Sequence, residues 1–213
     1  VLRELNADGL LINAPPPPCP EATDVAERFA GPAVWLQSRQ PANAVYFDFE
    51  GVGRRAVECL VHAGHRHIAC GDYSVSPHHT SQDLRYGYLR AMQAAGLPPR
   101  LIAPAGRTPR TERPGLIREW LSHPERPTAV LTGSHSTLIQ ILLAAAQLGM
   151  ALPADLSVIT IADRVFDDAG LAITTFQTAY RTMGLEGVAM LRRRIAEPSR
   201  GEVSRALELP LLP

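Results

Sequence analysis

Short apolar runs alternate with segments of helical periodicity along almost the whole of this 213-residue chain. Several of the runs are continuously apolar, which is typical of parallel strands that are covered on both faces. Because parallel strands are joined by crossovers, usually helices, the alternation predicts an α/β fold with doubly wound sheets. The predicted strands are residues 9–14, 33–37, 44–49, 67–71, 101–103, 128–132, 156–162, 173–177 and 206–212.

Apolar residues at three- and four-residue spacing predict helices between these strands. The apolar stripes cover residues 52–63, 84–95, 138–148 and 183–195. The first three stripes are each followed by a glycine, at positions 64, 96 and 149. Glycine tolerates the left-handed conformation that closes many helices, so we expect a positive φ angle at these three positions.

Charge and cysteine content exclude several classes of protein. The 21 basic and 21 acidic side chains balance, which argues against non-specific binding of a phosphate backbone by this chain alone. The run from Arg192 to Arg194 is accordingly interpreted as a solvated helix face. The three cysteines contain no Cys-x-x-Cys pair, so neither a disulfide framework nor a thiolate zinc site is predicted. A reducing cytoplasm is the simplest location, and no apolar stretch reaches the roughly 18 residues of a membrane span.

The segment from Gly51 to Ala56, GVGRRA, follows a predicted strand and resembles a dinucleotide-binding fingerprint, with Asp72 about 20 residues downstream. However, Asp48 and Glu50 would place two carboxylates beside the pyrophosphate, at a cost of about 1 to 4 kcal/mol each. We therefore favour glycines that permit close packing of a helix on the sheet. A nucleotide-binding α/β enzyme that uses residues 51–56 stays an alternative.

The histidines of the segment HAGHRH do not indicate a metal site. His62, His65 and His67 are divided among a predicted helix end, a turn and a strand, and no carboxylate or cysteine joins them. We expect neither a metal nor an organic cofactor in this chain.

Ser134 and His135 resemble a nucleophile and a base, but adjacent side chains usually do not face each other, and the Gly-x-Ser-x-Gly elbow is absent. We predict instead that Ser134 or Ser136 caps a helix at the carboxyl end of a strand, where ligands bind in open α/β sheets.

Arg85 lies in the first turns of another predicted helix. Its planar guanidinium suits a carboxylate, a phosphate or vicinal hydroxyls, so a ligand clamp and a surface residue both stay open for it.

Five segments resemble, in this order and spacing, the effector-binding domain of the LacI/GalR family of bacterial transcription regulators. They are DGLLINA, AVYFDFEGVGRRAVECLVHAGHRHIACGD, LRYGYLRAMQAAGL, PTAVLTGSHSTLIQILLAAAQLGMALPADLSVITIAD and ITTFQT. The resemblance implies a periplasmic-binding-protein-like type I fold, with two Rossmann-like subdomains and a ligand cleft between them. Residues 1–46 and 180–203 would form an N-terminal subdomain, and residues 47–178 and 204–213 a C-terminal one. It also implies that a helix-turn-helix headpiece and roughly the first two βα units precede Val1, so the N-terminal subdomain is expected to be incomplete here.

The resemblance also implies a set of effector-binding residues. Asn13 and Arg85 match the family, whereas Gln37 stands where sugar-binding members have an aspartate. Ser134-His135 replaces Asn-Asp, and Ala162-Asp163 replaces Asp-Asp. Leaving a buried hydroxyl unpaired costs about 1 to 3 kcal/mol, so we expect an effector other than a typical neutral hexose. The complete implied set is Asn13, Gln37, Arg85, Ser134, His135, Asp163 and Thr178.

The function implied by the resemblance is that of an effector-sensing and dimerising core of a cytoplasmic LacI-type repressor. A sugar or sugar-like molecule would bias a hinge between the subdomains, and operator DNA would be bound only through the headpiece. Catalysis and membrane contact are not expected. Besides the nucleotide-binding enzyme, the alternative is an extracytoplasmic sugar-binding protein of the same fold.

Overall fold

The computed structural model describes residues 6–13, 20–71, 79–102, 109, 111–165, 170–171 and 173–213. The elements in chain order are β1 (Leu10–Asn13), α1 (Pro20–Arg28), β2 (Ala33–Leu36), β3 (Ala44–Phe47), α2 (Phe49–His62), β4 (Ile68–Cys70), α3 (His79–Ala94), β5 (Arg100–Leu101), α4 (Arg113–Ser122), β6 (Ala129–Thr132), α5 (His135–Gln147), β7 (Ser157–Ala162), β8 (Thr174–Gln177), α6 (Tyr180–Ala196), β9 (Arg205–Leu207) and β10 (Leu211–Leu212).

The chain divides into two compact units. The first, unit 1, comprises residues 1–48, 77–79 and 179–208, and the second, unit 2, comprises residues 49–76, 80–178 and 209–213. Unit 1 contains a parallel sheet with the strand order β1-β2-β3-β9. Helix α6 packs on this sheet so closely that Gly187 lies against the side chain of Leu36.

Unit 2 contains a six-stranded sheet with the strand order β10-β8-β7-β6-β4-β5. All pairs are parallel except β10 with β8, so the α/β class with parallel sheets is confirmed. Every residue of β6 is buried, as its continuous apolar pattern predicts for a strand covered on both faces. One side of the core includes Ile117, Val130, Leu138 and Ile141.

Tyr88 ties α3 to the sheet of unit 2 and is completely buried. Its hydroxyl donates to the carbonyl of Ile68 at 3.0 Å and accepts from the amide of Arg100 at 2.8 Å. The phenol therefore bonds to backbone groups of the first residues of β4 and β5, which are neighbouring strands. Burial raises the pKa of Tyr88 to about 12, so the hydroxyl stays protonated and available as a donor at neutral pH.

The glycines of the segment GVGRRA lie inside α2, which begins at Phe49, and not in a turn between strand and helix. A Cβ atom at Gly53 would collide with the carbonyl oxygen of Leu84 on α3, and one at Gly87 would collide with the carbonyl oxygen of Glu50. Their role is therefore close contact between α2 and α3. This corrects both the expected packing of helix on sheet and the alternative of a pyrophosphate-binding turn, whose acidic partner Asp72 lies outside the described residues.

The strands and helices lie close to their predicted bounds, and positive φ angles at residues 64, 96 and 149, of 93°, 67° and 67°, confirm the predicted helix ends. One strand was expected at residues 206–212, but the structure has two. β9 pairs with β3 in unit 1, and β10 pairs with β8 in unit 2. The expected continuous strand is therefore wrong, because residues 208–210 separate segments of two different sheets.

Helices α1 and α4 were not predicted. α1 has only nine residues, begins with a proline and buries no residue completely, so its apolar pattern is too short to indicate a helix from the sequence. α4 has the dipeptide Pro114-Gly115 in its first turn, where proline is tolerated because the amide has no intrahelical acceptor.

The interpretation of Arg192 to Arg194 in α6 as a solvated helix face also needs correction. Arg192 and Arg193 are exposed as expected, and Arg193 also pairs with Glu202. Arg194 is instead half-buried and donates to the carbonyl of Ala33.

The side chain of His65 contacts residues at the amino ends of two strands of unit 2, β6 and β7. Its Nδ1 contacts the hydroxyl of Thr128 at 2.9 Å, and its Nε2 contacts the hydroxyl of Ser157 at 3.0 Å. His62 and His67 are exposed. No group of three metal-ligating side chains occurs among the described residues. Within the same ranges, no helix has the length and apolar character needed to cross a membrane.

We predict that Gly87→Ala lowers the free energy of unfolding by about 3 kcal/mol, because the added methyl group must separate α2 from α3. The control is Gly115→Ala in α4 of the same unit, where an added Cβ meets nothing within 4 Å. That variant should keep or slightly increase the stability, since alanine favours a helix. Urea denaturation followed by circular dichroism measures both, and equal stabilities would contradict the proposed helix contact.

We also predict a pH-dependent contribution of His65. Burial lowers the pKa of His65 below its ordinary value of 6.5, so the unfolded chain takes up its proton first. The stabilisation is therefore complete above pH 6.5 and decreases as the pH falls below it. Urea midpoints of wild type and His65→Asn should differ most at neutral pH and converge in acid. A difference that does not vary with pH would refute this.

Candidate functional site

Polar residues follow three neighbouring strands of unit 2 where those strands end. β6 ends at Thr132, β7 at Ala162 and β8 at Gln177. Thr132 is paired with Thr160 and Ala162 with Gln177, so β7 extends beyond β6. The residues that follow are Ser134, Asp163 and Thr178. The carboxyl edge of a parallel sheet is the usual ligand site of such folds, and the structure brings these three predicted residues to it.

Ser134 caps α5. Its backbone is extended, with φ −120° and ψ 120°, and its hydroxyl accepts from the amide of Thr137 at 3.4 Å. The same hydroxyl lies 3.0 Å from the hydroxyl of Ser136. The prediction of a cap at Ser134 is confirmed. His135 is the first residue of α5 and is exposed.

Asp163 is held by the neighbouring strand through its backbone. Its carbonyl oxygen accepts from Nε2 of Gln177 at 3.1 Å, and the amide of Thr178 donates to the carbonyl of Ala162 at 2.8 Å. The side chain of Asp163 is exposed, whereas Thr178 is buried. Gln177 is a positioning residue that the sequence prediction missed, although its place at the end of a predicted strand was a usable signal.

Arg85 lies in the second turn of α3 and is exposed. α3 follows β4, which is the neighbour of β6 in the sheet. Residues 72–78, which connect β4 to α3, are outside the described ranges. An exposed guanidinium can exchange water for an anionic ligand at little cost, so this placement is compatible with a ligand clamp.

The two predicted residues of unit 1 also share one edge of their sheet. Asn13 ends β1 and pairs with Leu36, so Gln37 is one residue beyond that pair. Gln37 has a φ angle of 56°, and its Oε1 is buried without a hydrogen-bond partner among the described residues. A buried amide oxygen without a donor is costly, by about 1 to 3 kcal/mol, and is a candidate for hydrogen bonding to a ligand.

Residues 57–211 match a family model described as a periplasmic binding protein-like domain. The chain is 30% identical over 156 residues to the ribose operon repressor of Escherichia coli K12, an alignment that covers 69% of this chain. This chain belongs to the LacI/GalR family. The family and the fold class that the sequence predicted are thereby confirmed.

A second repressor agrees with this family, and a solved structure agrees with the fold. The chain is 29% identical over 174 residues, or 79% of its length, to the arabinose metabolism transcriptional repressor of Geobacillus stearothermophilus. The fold also resembles the solved structure of a LacI-family regulatory protein from Chloroflexus aggregans, with a TM-score of 0.83 and 23% sequence identity. The superposition covers 99% of this chain and 76% of that protein's chain. This LacI/GalR chain spans 45% and 47% of the lengths of the two repressors, which are therefore considerably longer.

We predict that Ser134→Ala lowers the free energy of unfolding by about 1 kcal/mol, because the amide of Thr137 loses its side-chain acceptor. Ser134→Asp is the matched control, since aspartate caps helices as well as serine does. Thermal and urea denaturation measure both variants. If Ser134→Ala is as stable as wild type, the cap does not stabilise this edge.

Proposed function

We propose that this chain is the effector-sensing core of a LacI-type transcriptional repressor that acts in the cytoplasm. The observation that carries the proposal is the convergence of Ser134, Asp163 and Thr178 on the carboxyl edge of one sheet, in a chain related to a ribose operon repressor. Such an edge with several converging polar groups suits recognition of a small polar ligand. Binding, without catalysis, is the proposed activity.

The proposed effector is a sugar derivative that carries a phosphate or a carboxylate. Hydroxyls of the ligand suit the side chain of Thr178, which is buried at the carboxyl edge of the unit 2 sheet. Asp163 is the only acidic residue of the triplet from Ala162 to Arg164, so repulsion of an anionic ligand is small there. Arg85 is the proposed partner of the anionic group, because a guanidinium donates two parallel hydrogen bonds to carboxylates and phosphates.

The proposed mechanism is a change in the population of conformations on effector binding. We propose that the protein is a homodimer and that operator DNA is bound by a headpiece outside these residues. The balanced charge of the chain supports DNA binding by the headpiece and not by these residues, since DNA affinity depends on clustered basic side chains.

Isothermal titration calorimetry tests the effector proposal. The panel contains ribose, arabinose, glucose and galactose, each beside its phosphorylated and its acidic derivative. A phosphorylated or acidic sugar should bind, and Arg85→Ala should weaken that binding by about tenfold or more. Arg118→Ala, which removes another exposed arginine of unit 2, should bind like wild type.

Two outcomes would contradict the proposal. Micromolar binding of a neutral hexose that Arg85→Ala abolishes would show that the effector is of the ordinary kind. Equal losses in Arg85→Ala and Arg118→Ala would show that only the net charge of unit 2 matters.

A further inference from the structure

Unit 1 contains a groove at the amino ends of its strands, away from Asn13 and Gln37. Ala33 is the first residue of β2, and Ala42 and Asn43 precede β3. The groove has a volume of about 370 Å³. Its polar lining comes from α1, β2, the turn before β3 and the end of α6, and includes Thr23, Glu27, Trp35, Gln40, Asn43 and Arg194.

Arg194 supplies the positive group of the groove. Its Nη1 donates to the carbonyl of Ala33 at 2.7 Å, which holds the guanidinium in place. Its Nε is buried and has no hydrogen-bond partner in the described part of the chain. Nε and Nη2 form the edge of a guanidinium that gives two parallel hydrogen bonds to a carboxylate. A buried donor without an acceptor is unfavourable, and the carboxylate of a ligand would supply the acceptor.

Asn43 forms a rigid wall of the groove. Its φ angle is 59°, its amide donates to the carbonyl of Glu202 at 2.8 Å, and its Oδ1 accepts from the amide of Glu202 at 2.9 Å. The Glu202 side chain is in turn held by Arg193 through two hydrogen bonds of 2.7 Å, which lower the pKa of the carboxyl group. The amide of Asn43 is thus oriented before a ligand arrives, and Nδ2 is its remaining donor.

Glu27 supplies a negative group to the same groove. It is exposed on α1, and within the described ranges it forms no ion pair with Arg194 or with any other residue. A simple anion would be attracted by Arg194 and repelled by Glu27. A zwitterion satisfies both, because its carboxylate can bind Arg194 while its ammonium group binds Glu27.

We propose that this groove binds a free α-amino acid. The carboxylate bonds to Nε and Nη2 of Arg194, the ammonium group lies toward Glu27, and the side chain packs against Trp35. The volume of the groove is near the lower limit of ligand sites, about 300 Å³, and suits a small metabolite. The site goes beyond the proposed effector function and gives the regulator a second input.

Trp35 makes the proposal directly measurable. The chain has two tryptophans, so Trp120→Phe leaves Trp35, which lines the groove, as the only indole. Titration of this variant with each of the common amino acids should change the fluorescence at micromolar to millimolar concentrations for at least one of them. That amino acid is then compared with its deaminated acid and its methyl ester, both of which should bind about tenfold more weakly or worse.

Variants of the groove complete the test. Glu27→Gln should weaken the binding of the amino acid about tenfold. The same variant should bind the deaminated acid at least as well as wild type does, because the repulsion of its carboxylate is removed, and Arg194→Lys should weaken both ligands. Arg192→Gln, a neighbouring exposed arginine, is the control and should bind like wild type. Circular dichroism establishes whether each variant is folded. If Arg194→Lys does not fold, Glu27→Gln by itself still tests the proposal. No response to any amino acid, binding of the deaminated acid as tight as that of the amino acid, or a Glu27→Gln variant like wild type would each overturn the proposal.

Discussion

Coverage of the unit 2 sheet on both faces is the constraint on which the rest of that unit depends. Every residue of β6 is buried, and hydroxyls inside the sheet bond to the backbone. Thr160 donates to the carbonyl of Thr132 at 3.4 Å, and Thr175 donates to that of Ile173 at 2.7 Å. Because these buried hydroxyls are already hydrogen-bonded to the backbone, the residues that follow the strands are the better candidates for ligand recognition. Ser134, Asp163 and Thr178 occupy those positions.

The same demand for close packing explains the glycines of α2 and α3. Gly53 and Gly87 let the two helix backbones touch, and Tyr88, next to Gly87, anchors α3 to the sheet through its buried hydroxyl. The sequence GVGRRA looks like a phosphate-binding turn only while the start of the helix is unknown. With α2 beginning at Phe49, both of its glycines lie inside the helix, and Gly53 lies against the backbone of α3.

Unit 1 has different chemistry at the two ends of its sheet. At the carboxyl edge, the amide oxygen of Gln37 is buried and has no donor among the described residues. The residue has a left-handed backbone conformation that glutamine rarely adopts. At the amino edge, Nε of Arg194 is buried and has no acceptor within the part of the chain that the structure describes. Opposite hydrogen-bonding needs at opposite edges are consistent with ligands of different character: hydroxyls at one edge and a carboxylate at the other.

The sequence by itself determined the α/β class, the family, most strand and helix positions, a serine cap at residue 134 or 136, and the three helix-closing glycines. These features depend on local periodicity and on residue types whose backbone preferences are strong. Only the tertiary structure decided that residues 205–212 belong to two sheets, that Gln177 positions Asp163, and that Arg194 reaches the carbonyl of Ala33. Those contacts join residues far apart in the chain or on different strands, and no local pattern encodes which distant partner a side chain meets.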